Sequence, residues 1–173
     1  MKKEVRAILK NRAIVMAKEP EQKKESSAII EVIVFTLAAE TYALESAFVR
    51  EVRRMSDITK LPGVPVYVFG IINVRGQILP VIDLKKFFNL PDKGLGELNK
   101  VIILRNDRME FGILAGTVEG TQTLVLEDIL ASPLAVPGIG EKYLKGVSKE
   151  YIVVLEAESI LNDEKIIVHQ EVI

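Results

Sequence analysis

Two apolar runs held apart by a polar, glycine-bearing turn, in residues 70–84 (GIINVRGQILPVIDL), restrict the fold of this chain more than any other stretch. Ile71 and Ile72 close one run, and Ile78, Leu79, Val81 and Ile82 form the next. Between them lies Asn73-Val74-Arg75-Gly76-Gln77. The pattern predicts a β-hairpin, because Gly76 can take the positive φ that a tight connection requires. Asn73 also tolerates left-handed geometry and is expected to act as a second hinge of the turn. Arg75 then sits at the hairpin tip, its guanidinium directed at solvent or at a partner.

The rest of the chain repeats this style. Residues 29–38 are rich in valine, isoleucine and threonine, a short turn follows at 39–41, and residues 42–44 start a return strand. Residues 47–55 (AFVREVRRM) read either as a half-exposed strand or as one helical turn running into a strand. Pro62 and Pro65 make residues 61–65 a rigid loop that feeds a strand at 66–72. Asp83 is placed to cap a short helix over 84–89, its carboxylate accepting orphan N–H groups of the first turn. Residues 91–99 are polar and glycine-bearing and form the best internal boundary. Beyond it, hairpins are predicted from 101–104 with 111–115 and from 143–147 with 151–155. A further strand is expected at 117–126, with Gly116 and Gly120 as bends or bulges, and a short helix at 158–163. Many short strands at even spacing predict an all-β barrel or sandwich.

Before this block, residues 2–18 carry Val5, Ile8, Leu9 and Met16 at helical spacing, predicting an amphipathic N-terminal helix. A charged linker over 19–27 separates it from the first strand. The expected organisation is an N-terminal helix and linker (1–28), a β domain (29–163) and a C-terminal tail (164–173). Within the β domain a first lobe covers about 29–92 and a second about 98–157, and strands can exchange between them.

Composition bears on function by exclusion. The 173 residues carry 23 basic and 24 acidic side chains, for a net charge of −1, with 6% aromatics and no tryptophan. Nucleic-acid binding is therefore not expected, since it calls for a basic excess or stacking platforms. No apolar run reaches the roughly 18 residues of a membrane span, and no secretory leader pattern follows the basic start. Cysteine is absent, which removes disulfides, thiolate nucleophiles and zinc–thiolate sites. His169 is the single histidine, so neither a histidine triad nor a multi-histidine metal site is expected. No phosphate-binding glycine loop is present, and Ala115-Gly116-Thr117 lacks the acid of an aspartic-protease motif. No catalytic, cofactor-binding or metal-binding residues are assigned.

Taken in order, Phe35-Thr36-Leu37, Tyr42-Ala43-Leu44, Val49-Arg50-Glu51-Val52, Leu61-Pro62 and Pro65 lead into Gly70-Ile71-Ile72-Asn73-Val74-Arg75-Gly76 and Leu79-Pro80-Val81-Ile82-Asp83-Leu84. This series resembles the CheW family of chemotaxis coupling proteins over about residues 29–163, and the NxRG tract followed by PVIDL is its most specific part. Phe111-Gly112-Ile113-Leu114 and Tyr143-Leu144-Lys145-Gly146-Val147 are similar to the family's second half.

The resemblance implies two small five-stranded β-barrels sharing an apolar core, no catalysis and no cofactor. It implies a cytoplasmic adaptor, recruited to membrane receptor arrays. Its partners would be the regulatory domain of the histidine kinase CheA and the cytoplasmic tips of methyl-accepting chemoreceptors. By motif, Val49, Glu51 and Val52 match kinase-contact positions, while Gly70, Asn73, Arg75 and Gly76 match the receptor-coupling signature. From their own pattern, Val49 and Val52 are equally a core-facing pair with a charged flank. The sequence departs from the family at Gly116-Thr117, where an acid is common. Residues 2–27 also precede the usual domain start. The alternatives are a paralogue serving a receptor–kinase pathway other than chemotaxis, or a small β-barrel ligand-binding module.

Overall fold

The structure, a computed structural model, describes residues 28–37, 39–91, 98–131 and 138–166. The expected N-terminal helix and linker, and the tail beyond residue 166 with His169, lie outside these residues. Ten strands are described: β1 (Ile29–Leu37), β2 (Glu40–Glu45), β3 (Val49–Arg54), β4 (Val68–Val74), β5 (Gln77–Ile82), β6 (Lys100–Arg105), β7 (Glu110–Ala115), β8 (Val118–Val125), β9 (Leu144–Val147) and β10 (Val153–Leu155). Two short helices, α1 (Leu84–Phe87) and α2 (Ala157–Leu161), follow β5 and β10.

Strand alternation explains where so much apolar side chain goes. Along β6, Val101 and Ile103 enter one buried cluster while Ile102 and Leu104 enter another. Along β1, Val32 and Val34 enter a third cluster, and Phe35 and Leu37 join the cluster of Ile102 and Leu104. Central strands are thus buried on both faces: one face lines the inside of its own sheet, the other packs against the opposite sheet. The shared core between the sheets is the largest of the three clusters and includes Tyr42, Leu44, Phe111, Ile113 and Leu155.

The strands form two five-stranded sheets, ordered β8-β1-β2-β10-β9 and β3-β6-β7-β5-β4. Position for position, the two orders have the same pairings: β2–β10 and β7–β5 are parallel, and every other neighbour pair is antiparallel. Each sheet takes strands from both sides of residues 92–97, so the stretches 29–92 and 98–157 each contribute to both sheets.

Each sheet curls until its edges meet at a seam. After β3 the chain crosses to the far edge strand β4, where Thr59 and Ile71 exchange two backbone hydrogen bonds of 2.9 Å. After β8, Leu130 does the same with Val147 of β9, at 3.0 and 2.9 Å. A glycine precedes the bridged residue at each seam. A Cβ on Gly70 would lie 2.5 Å from the Thr59 carbonyl oxygen, and one on Gly146 would lie 2.7 Å from that of Leu130. Such distances are inside van der Waals contact, so each seam closes only because no side chain stands there.

Local signals account for most boundaries. Residues 46–48 form a single 3-10 turn that runs directly into β3, which decides between the two readings of 47–55. Asp83 caps α1 as expected, accepting the Lys85 N–H at 3.0 Å, although the helix ends at Phe87 rather than at 89. Gly120 adopts φ +111 beside a bulge, where Val34 and Phe35 of β1 face Gly120 and Val118 of β8 and Glu119 is the extra residue. β10 begins at Val153, not at 151, because Tyr151 takes φ 65 within the turn after β9. Phe87 of α1 packs edge-on against Tyr67 and Tyr143, tying the two sheets together near α2.

Candidate protein-interaction site

The hairpin expected at 70–84 is formed by β4 and β5, with Val74 opposite Gln77 and only Arg75 and Gly76 in the loop. Their φ values of 51 and 85 give a turn with two left-handed residues, the connection whose twist matches a hairpin. Asn73 is not a left-handed hinge, contrary to the sequence expectation. It is strand residue, and its Oδ1 accepts the Gly76 N–H at 2.8 Å, which fixes the turn from outside. Arg75 pays the steric cost that glycine or asparagine would avoid, about 1–2 kcal/mol. Strain of this kind at an exposed tip points to a role for the side chain.

That side chain crosses the seam. Arg75 Nη1 donates to Glu51 Oε2 at 2.6 Å, joining the hairpin tip to β3. Glu51 is a hub: Arg53 Nη1 lies 3.9 Å from Oε1 and Arg50 Nε lies 3.9 Å from Oε2. Arg50 is the extra residue of a bulge, since pairing steps from Val49–Leu104 to Glu51–Ile103. A bulge re-aims its side chain, and Arg50 reaches Glu110 at the start of β7 in a second ion pair. The Arg53 Nε is buried without a hydrogen-bond partner. The seam is therefore held by the Thr59–Ile71 bridge and, beside the hairpin tip, by the Glu51–Arg75 ion pair.

The structure brings the two expected groups of residues into direct contact and sorts their members. Val49 is half-buried and packs on the shared core, whereas Val52 is 37% exposed. Gly70 closes the seam, and Gly76 lies in open space, needed for its φ and not for close approach. Asn73 fixes the turn, and Arg75, with its side chain 67% exposed, remains reachable from solvent.

Sequence reasoning places Arg53 with Arg50 in the charged flank of Val49 and Val52, but it missed Glu110 and a comparable contact on the other barrel, where Lys149 in the β9–β10 turn pairs with Asp128 at 3.2 Å. Arg50 and Glu110 are 60 residues apart, and no local pattern announces such a pair. Among the described residues no group of three or more acids or histidines is placed to hold a metal, and none of their helices is long and apolar enough to cross a membrane. Ion pairs reachable from solvent along an edge strand, with a half-exposed valine on the strand's other face, are groups suited to recognising another protein surface.

A family model, the CheW-like domain, matches residues 31–165. The chain belongs to the CheW-like domain family. It is 28% identical over 165 residues to the chemotaxis protein CheW of Treponema pallidum, covering 91% of this chain and 93% of that protein. It is also 28% identical over 138 residues to CheW of Klebsiella aerogenes, covering 78% and 83% respectively. The crystal structure of the scaffolding protein TtCheW from Thermoanaerobacter tengcongensis superposes with a TM-score of 0.68 at 30% identity, covering 80% of this chain and 91% of that one. The two five-stranded sheets are thus those of a CheW-like domain.

Proposed function

We propose that this CheW-like chain is a non-catalytic chemotaxis adaptor that couples chemoreceptors to the histidine kinase CheA. In this reading β3, through Val49, Glu51 and Val52, meets the regulatory domain of the kinase. The hairpin tip, through Asn73, Arg75 and Gly76, meets the cytoplasmic tip of a receptor, which recruits the chain to membrane arrays from the cytoplasm. Gly70 serves the same tip indirectly, by letting β4 close on Thr59.

The observation that carries the reading is the 2.6 Å ion pair between Glu51 and Arg75. A receptor that engages the guanidinium draws it from Glu51, and the freed carboxylate then changes what the kinase meets on β3. Exposed pairs of this kind are worth about 0–1 kcal/mol, so exchanging the partner costs little. A ligand shifts such an equilibrium by its differential affinity for the two arrangements.

The test is a reconstitution of receptor-bearing membranes with the kinase, with and without this chain, reading kinase autophosphorylation. Wild type is expected to make kinase activity depend on receptor. Arg75→Ala should retain kinase binding and lose that dependence, and Glu51→Arg should lose kinase binding while staying folded. Receptor control unchanged by Arg75→Ala would refute the assignment of the tip.

A further inference from the structure

Two facing cations, one on β3 and one on β6, form no ion pair among the described residues. Arg54, at the end of the strand, lies directly opposite Lys100 of β6 in the antiparallel ladder. Directly opposed residues of such a ladder point to the same face, where like charges destabilise the pairing. Among the described residues neither forms an ion pair. Arg54 is exposed and Lys100 half-buried. Two residues back on the same face is the half-exposed Val52, opposite the fully buried Ile102. The face therefore runs outward from the shared core, through an apolar step, to two unpaired cations.

The charge around it is lopsided. Among the described residues, Arg50, Arg53, Arg54, Lys60, Arg75 and Lys100 gather at β3 and its seam against Glu51, Asp57 and Glu110, in a chain whose overall net charge is −1. Glu110 is engaged by Arg50, and Glu51 is shared among three arginines. Among the described residues no acid pairs with Arg54 or Lys100, Asp57 three residues after Arg54 included.

We propose that Arg54 and Lys100 form a carboxylate-receiving site beside Val52, filled by an acidic side chain on the kinase regulatory domain. The inference rests on the assignment of β3 to the kinase and adds a determinant of partner choice to it. An apolar step bordered by cations calls for an apolar patch bordered by carboxylates, because complementary charge favours the right partner and repels a basic one. A protein surface fits better than an anionic membrane, since two cations alone hold a bilayer weakly.

Arg54→Gln, Lys100→Gln and the double variant test it, by titration into the regulatory domain of the CheA from the same genome at low and high salt. The double variant should bind about tenfold more weakly and lose most of the salt dependence of wild type. Its urea midpoint should rise at the same time, because the repulsion in the free protein is gone. A purely structural pair would not move stability and binding in opposite directions. Wild-type binding with a double variant within twofold of it would overturn the site and leave the adaptor reading standing. Failure of folded wild type to bind would bring down both. Vesicles containing phosphatidylserine form a further arm: loss of vesicle binding with kinase binding intact would overturn the proposal in favour of a lipid surface.

Discussion

Gly70→Ala probes the closure of the β3–β4 seam. The added methyl would stand 2.5 Å from the Thr59 carbonyl oxygen and 2.7 Å from Ile58 Cγ2, so backbone must move rather than a flexible side-chain end. Overpacking of this kind costs about 1–3 kcal/mol. The movement also strains the two hydrogen bonds between Thr59 and Ile71, each worth about 0.5–1.5 kcal/mol net. Together these give a loss of about 2–6 kcal/mol if the bridge breaks. A mid-range loss of about 4 kcal/mol lowers Tm by roughly 8–16 °C in a domain of this size. The control is Gly76→Ala, where nothing lies within 4 Å of the new Cβ and only the φ of +85 resists it, at about 1–2 kcal/mol. Urea unfolding of both variants beside wild type gives the comparison. Gly70→Ala should be the more damaging, and its loss of receptor coupling should follow its loss of stability. A Gly70→Ala protein as stable as wild type, or more stable than Gly76→Ala, would refute the closure argument.

Other substitutions separate stability from coupling. Arg75→Asn relieves the left-handed strain at the turn, about 1–2 kcal/mol, and loses an exposed ion pair worth about 0–1 kcal/mol, so its unfolding free energy should equal or exceed that of wild type. Receptor control of the kinase should nevertheless be lost in that variant, as read by autophosphorylation. Tyr143→Phe removes the hydroxyl that donates to the buried Asp163 carboxylate, which keeps the Lys165 N–H at 2.9 Å and Lys142 at 3.5 Å. Its expected cost is about 1.5–3 kcal/mol by denaturant titration. Alkaline pH should act through the same group. Burial first, then the hydrogen bond to Asp163, pushes the Tyr143 hydroxyl above its ordinary value of 10.0, and burial with the nearby Glu40 does the same for Tyr42. The unfolded chain therefore releases these protons first, so their stabilisation is complete below pH 10 and is lost as pH rises above it. Urea midpoints at pH 9 and 11 should show the fall, and Tyr143→Phe should flatten it. Equal wild-type midpoints at the two pH values would contradict the assignment.

What the sequence made legible was local. The hairpin tip at Arg75-Gly76, the Asp83 cap and the bulge near Gly120 each depend on the chemistry of a few adjacent residues. The double burial of β1 and β6 was present as dense apolar composition, but which face met which core depends on pairings between distant strands. β1 pairs with β8, and parallel contacts join β5 to β7 and β10 to β2, none of which leaves a local trace. The same limit governs the candidate site. Val49, Glu51 and Val52 could be named from motif resemblance, yet their different surroundings follow from the edge position of β3 and the bulge at Arg50. Glu51 and Arg75 are 24 residues apart and match different motif groups, and the closed seam brings them together. In sequence Gly70 neighbours the recognition tip and shares its motif, which hides its packing role. Its missing side chain makes room for Thr59.

Calorimetric titration of the CheA regulatory domain with this chain, repeated in the presence of a receptor cytoplasmic fragment, tests the coupling role most directly. Wild type should bind the kinase domain at micromolar Kd or tighter, about −8 kcal/mol. Folded Glu51→Arg should give no binding heat. The receptor fragment should shift the wild-type Kd and leave that of Arg75→Ala where it was. A folded wild-type chain that binds neither the kinase domain nor the receptor fragment would contradict the adaptor function, and the CheW-like fold would then serve another partner.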